Sequence, residues 1–87
     1  MKFNDLFVFC NERFAVGQEK DSQRYYLSIP VSNGLVEYEE YYELSPEEFT
    51  RFSRGLDEMR QLAVECRARQ EDGRLMMKPG SKRGDPV

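Results

Sequence analysis

Histidine and tryptophan are absent from this 87-residue chain, and cysteine occurs only twice, at Cys10 and Cys66. Without histidine there is no Ser-His-Asp or Cys-His catalytic arrangement and no imidazole metal ligand. Two distant cysteines are too few for a disulfide framework or a thiolate zinc site. Each falls on an apolar face and reads as a small core residue. The six glycines never form a G-x-G-x-x-G or G-x-x-x-x-G-K phosphate loop. No apolar run approaches the ~18 residues of a membrane span. The start, Met1-Lys2-Phe3-Asn4-Asp5, lacks the layout of a signal peptide. The expectation is a protein that is not an enzyme, holds no cofactor or metal, avoids membranes and works in a reduced, cytoplasmic setting.

Apolar residues make up 39 % of the chain and charged residues 33 %. That suits one small domain, which hides only about 60–65 % of its unfolded surface. Thirteen Lys and Arg against sixteen Asp and Glu give a net charge of −3. Nucleic-acid binding normally needs a basic patch, so direct contact with nucleic acid is not expected. A basic protein partner fits better.

Local signals predict an α+β fold. In Leu44-Ser45-Pro46-Glu47-Glu48-Phe49, Ser45 and Glu48 form a capping box, Pro46 suits the first helical position, and Leu44 and Phe49 make a hydrophobic staple. Downstream, Phe49, Phe52, Leu56, Met59, Ala63 and Cys66 recur every three or four residues. The spacing predicts one long helix over about 46–70, packed on a sheet. Gly55 costs that helix roughly 1 kcal/mol relative to Ala, and Leu62 and Val64 lie off its stripe. Residues 24–43 alternate as a hairpin around Asn33-Gly34. Hydrophobic matching sets Val31 opposite Val36, Ile29 opposite Tyr38 and Tyr25 opposite Tyr42, with a loop over 32–35. The loop places Pro30 where no N–H is needed.

Phe3, Phe7, Cys10 and Phe14 have helical spacing, which favours a short helix over 4–13, although Leu6-Phe7-Val8-Phe9-Cys10 also reads as a buried strand. Residues 14–18 suit a third strand. The domain then spans 1–70, and 71–87, rich in Gly, Pro and charge, reads as a flexible tail in which Leu75-Met76-Met77 could dock locally. The expected core is Tyr25, Leu27, Ile29, Val36, Tyr38, Phe49, Phe52, Leu56, Met59 and Ala63.

Between residues 31 and 50 there is no Lys or Arg, but there are six glutamates. Strand alternation puts Glu37, Glu39, Tyr41 and Glu43 on the sheet face away from the core, together with Tyr26 and Ser28. Carboxylates steer a basic partner, and tyrosines add contact area at modest entropic cost. Tyr26, Glu37, Glu39, Tyr41 and Glu43 are therefore the candidate binding residues. The plainer alternative is a solvated face whose charges discourage aggregation. Glu40 is the exception: the pairing turns it towards the core, which requires either a bulge or an arginine partner.

The run Ile29-Pro30-Val31-Ser32-Asn33-Gly34-Leu35-Val36-Glu37-Tyr38-Glu39-Glu40-Tyr41-Tyr42, followed by Leu44-Ser45-Pro46-Glu47-Glu48-Phe49, resembles small bacterial immunity proteins of polymorphic-toxin and contact-dependent inhibition systems. The resemblance covers about 25–52, and its aromatic-acidic stretch is the more specific part. It implies a non-catalytic inhibitor that binds a cognate, basic toxin domain. Two other readings fit the composition: a small self-associating structural or adaptor subunit, using a sheet edge or the helix, and a phage-encoded acidic inhibitor.

Overall fold

The computed structural model describes residues 1–87. Four strands form an antiparallel sheet in the order β1 (Phe3–Phe9), β2 (Phe14–Glu19), β3 (Tyr25–Ser32) and β4 (Glu37–Leu44). Two helices, α1 (Pro46–Phe52) and α2 (Leu56–Arg67), cover one face. A 3₁₀ turn (Asp72–Arg74) and a two-residue strand β5 (Asp85–Pro86) complete the chain. The architecture is α+β, and the strand expected at 14–18 is present as β2. No helix is long and apolar enough to cross a membrane.

The N-terminal segment is a strand, not the helix expected over 4–13. Its helical spacing has another cause: a register shift between Asp5 and Phe7 leaves Leu6 as an extra residue. The bulge resets the alternation. Phe3 and Asp5 pair with Glu19 and Gly17, the β2 positions of the outer face, whereas Phe7 and Phe9 pair with Val16 and Phe14 towards the helices. Cys10 lies in the following turn and is exposed, contrary to its expected core role.

The β3–β4 register differs by two residues from the hydrophobic match. Val31 faces Tyr38, Ile29 faces Glu40, Leu27 faces Tyr42 and Tyr25 faces Leu44. The loop is 33–36: Asn33 accepts bonds from the backbone N–H groups of Leu35 and Val36, and Gly34 takes φ +89°. Val36 thereby leaves the core and is 58 % exposed. A two-residue shift keeps every side chain on its expected face, since strands alternate with period two. Pro30 lies opposite Glu39 and offers its carbonyl to Val87 on the other edge of β3.

The expected helix over 46–70 is broken at 53–55. The capping box at Ser45 and Glu48 forms as expected, but Gly55 is extended, with φ −156° and ψ 126°, and begins α2. Glycine loses the most freedom inside a helix, so the break falls there at least cost. On α2, Met59, Ala63 and Cys66 are buried as the stripe predicts and Leu62 joins them, while Leu56 and Val64 are exposed. The core adds Phe14, Val16, Val31, Tyr42 and Leu44 to the expected Leu27, Ile29, Phe52, Met59 and Ala63. Tyr25, Tyr38 and Phe49 pack partly buried against it. Burial pushes the Cys66 thiol up to about 12, which leaves it an inert packing group.

Residues 71–87, expected as a flexible tail, form a strap with specific contacts. Met76 donates to the Tyr41 carbonyl on the outer edge of β4, and β5 then pairs with Val31 and Ser32 of β3. Between these points Arg83 donates to both Glu40 and Asp72. Gly84 fits because a Cβ there would stand 2.5 Å from the Ser32 carbonyl carbon.

Candidate functional site

Behind the candidate face lies a buried ion network on the helix side. Glu40 is 6 % exposed and points inward without a bulge, opposite Ile29. Arg69, at the end of α2 with φ +62°, and Arg83 of the strap both donate to its carboxylate, and the Tyr42 hydroxyl donates at 3.0 Å. Burial by itself raises the Glu40 pKa, but the hydrogen bonds from Arg83, Tyr42 and Arg69 bring it below the ordinary value. Burial also pushes the Tyr42 hydroxyl up, with the Glu40 charge adding to it. Arg83 also bonds Asp72, so two guanidiniums meet two carboxylates and the network reads as a clasp between sheet, helix and strap.

The opposite face carries the candidate residues. Glu37, Glu39, Tyr41 and Glu43 alternate along β4, and Tyr26 pairs with Glu43 on β3. The structure brings all five to one face but gives them different standing. Tyr26 has no exposed surface: its hydroxyl donates to Asp5 at 2.6 Å, and its ring passes over Gly17. A Cβ at Gly17 would stand 2.6 Å from that hydroxyl, so the missing side chain makes room for it. Tyr26 is thus a support and not a contact residue, which corrects its expected role. Burial first, then the bond to Asp5, raises its pKa well above the usual phenol range.

Tyr41 is half-buried. The Phe3 ring stacks on it at 3.5 Å between centroids and 9° between planes, and the Tyr26 ring meets both edge-on. Phe3 lies on β1 and Tyr41 on β4, three strand spacings apart, or roughly 14 Å in a flat sheet. Rings from the two edge strands meet only because the sheet curls around this face, over the small residues Ala15, Gly17 and Ser28. Towards the β1–β2 turn the trough opens into a hollow of about 270 Å³ beside Asp5, Val8, Arg13 and Glu39.

Glu43 is tied to Arg24 at 2.9 Å. Glu37 and Glu39 are exposed and have no basic partner; Glu39 accepts only a 3.4 Å bond from Ser28. Partial burial raises the Glu39 pKa, and the neighbouring Asp5 and Glu37 charges raise it further against the Ser28 bond. Tyr41 is raised by burial and by the Glu39 and Asp5 charges. No ion pair within the chain meets Glu37 or Glu39, although Arg13 lines the hollow beside Glu39 and Lys78 and Lys82 line the one at the β4 edge. No three acidic or cysteine side chains converge to hold a metal ion.

Phe3 and Asp5 belong to this face and were missed in the sequence because their strand imitates a helix. Glu19, at the end of β2, is fully enclosed: its carboxylate accepts from the backbone N–H groups of Lys2, Asp21 and Ser22 at 2.8–2.9 Å. Those bonds, chiefly from Asp21 and Lys2, hold its pKa down at about 2. Comparison with protein-family models, curated proteins and solved structures gives no significant match to this chain.

Proposed function

We propose that this protein is a non-catalytic inhibitor that binds a basic protein through the outer face of β4, in the manner that its resemblance to toxin-neutralising immunity proteins implies. The observation that carries the reading is that Glu37 and Glu39 are exposed without any basic partner in their own chain. They precede Tyr41 on the same face of β4, and Tyr41 is held in place by Phe3. Glu37 and Glu39 steer the partner, Tyr41 supplies contact area, and Glu43 joins at the margin by exchanging Arg24 for a group of the partner. Tyr26 acts from beneath, by fixing Asp5 and the curl of the sheet.

The test is affinity capture from the producing cell followed by binding kinetics with the recovered domain. Reversing Glu37 and Glu39 to Lys is expected to change stability by under about 0.5 kcal/mol, because both are exposed. Association should slow markedly, and wild-type association should slow as salt rises. Tyr41→Ala should instead hasten dissociation with little salt dependence. A double reversal that associates as fast as wild type at low salt would remove the acidic face from the reading.

A second reading, self-association, is favoured by one feature. The outer edge of β1 is unpaired, and Leu6, Phe7 and Val8 are 47 %, 46 % and 61 % exposed without a Lys or Pro in the strand. Such an edge is a template for another strand. Sedimentation over a concentration range decides it: a strict monomer at high concentration rules self-association out.

A further inference from the structure

The outer edge of β4 is only half used by the chain's own strap. Met76 pairs with the carbonyl of Tyr41, and Leu75 bridges to Tyr42. Beyond Met76 the strap makes no further backbone bond to β4, although the register would set Lys78 opposite Glu39. In an antiparallel sheet both backbone groups of a residue point to the same edge, and residues alternate. With the Tyr41 carbonyl pointing outward, the N–H and C=O groups of Glu39 and Glu37 point outward too, and no other strand meets them. Beside them lies a hollow of about 480 Å³ between Tyr38, Glu39 and Tyr41 on one side and Met77, Lys78 and Lys82 of the loop on the other.

We infer that this slot takes an extended, basic segment of the partner, added as a further strand along β4 at Glu37 and Glu39. The inference rests on the binding function proposed above and states how that binding is made. Strand addition supplies the free backbone groups with partners. A lysine or arginine opposite each glutamate would lie within the roughly 5 Å of a cross-strand pair, next to carboxylates that lack a cation of their own. Lys78 and Lys82, exposed and without ion pairs, stand across the slot and oppose a basic occupant. They set a threshold against weakly charged segments.

The probe is a capped seven-residue peptide of alternating lysine and valine, followed by amide hydrogen exchange on the full chain. At saturation the Glu37 and Glu39 amides should exchange at least about tenfold more slowly. The same peptide with alternate backbone nitrogens methylated should not protect them. Replacing both Lys78 and Lys82 by Gln should tighten peptide binding; unchanged affinity would show that the peptide does not enter the slot and would overturn the inference. Binding that is salt-dependent and lost on charge reversal at Glu37 and Glu39, yet leaves both amides unprotected, would overturn strand addition alone. No binding of either peptide to the wild type at low salt would overturn both the slot and the acidic-face reading.

Discussion

Four carboxylates do the local stitching, and their environments set how the protein responds to acid. Glu19, enclosed by three backbone N–H groups, and Glu48, gripped at both oxygens by Arg74 at 2.8 Å, are held at about 2. Glu40 and Asp72 are also lowered, each despite the opposing effect of burial. A carboxylate with a lowered folded-state pKa contributes stability that is fully present above its unfolded pKa and disappears as pH falls through the folded one. The melting temperature should therefore hold down to about pH 4.5 and fall steadily towards pH 2. Glu39 acts in the opposite sense, because partial burial first, and the Asp5 and Glu37 charges after it, raise its pKa. Glu48→Gln should lower stability near neutral pH by on the order of 2 kcal/mol and flatten part of the acid slope. Thermal melts of both proteins from pH 7 to pH 2.5 check this; parallel curves would contradict it.

Among the elements, the break between α1 and α2 is the feature most open to test. Gly55 caps α2 without a side-chain bond, its backbone is extended, and a Cβ there meets nothing within 4 Å. Gly55→Ser should therefore stabilise the protein by roughly 0.5–1 kcal/mol, through a new cap and a less flexible unfolded chain. In an unbroken helix Gly55→Ala would stabilise more than Gly55→Ser, whereas at a cap Ser should exceed Ala, so urea titration of both variants separates the two geometries. Phe52 closes α1 over the core and is 3 % exposed. Phe52→Ala should cost about 3–5 kcal/mol, a large fraction of the stability of a small domain. An unchanged melting temperature would mean that the α1 contact contributes little.

At the scale of the whole molecule the strap matters most, because it joins elements that the hairpins leave separate. Arg74 bonds Glu48, Glu71 and the Glu43 carbonyl, while Arg83 joins Glu40 to Asp72. Arg83→Ala leaves a buried carboxylate with Arg69 as its remaining cation. Since Glu40 is buried and Arg83 partly so, the loss should be about 2–3 kcal/mol. The strap beyond Met76 should then become open to limited proteolysis while the sheet stays intact. Cleavage at the wild-type rate would show that the clasp does not hold the strap.

Local chemistry alone determined the start of α1, the β3–β4 hairpin, the faces of its residues and the conflict at Glu40. Each depends on neighbours in the chain: a capping box closes over three residues, and strand alternation survives a two-residue slip of register. Long-range contacts decided the rest. The bulge at Leu6 makes β1 imitate a helix until β2 pairs with it. The break at Gly55 interrupts a stripe whose spacing continues into α2, so periodicity alone does not reveal it. The arginines that neutralise Glu40 come from residues 69 and 83, and no local pattern ties either to a strand at residue 40. The same holds for the binding face: its acidic residues were legible along β4, but the burial of Tyr26 and the support of Tyr41 by Phe3 arise only when the edge strands curl towards each other.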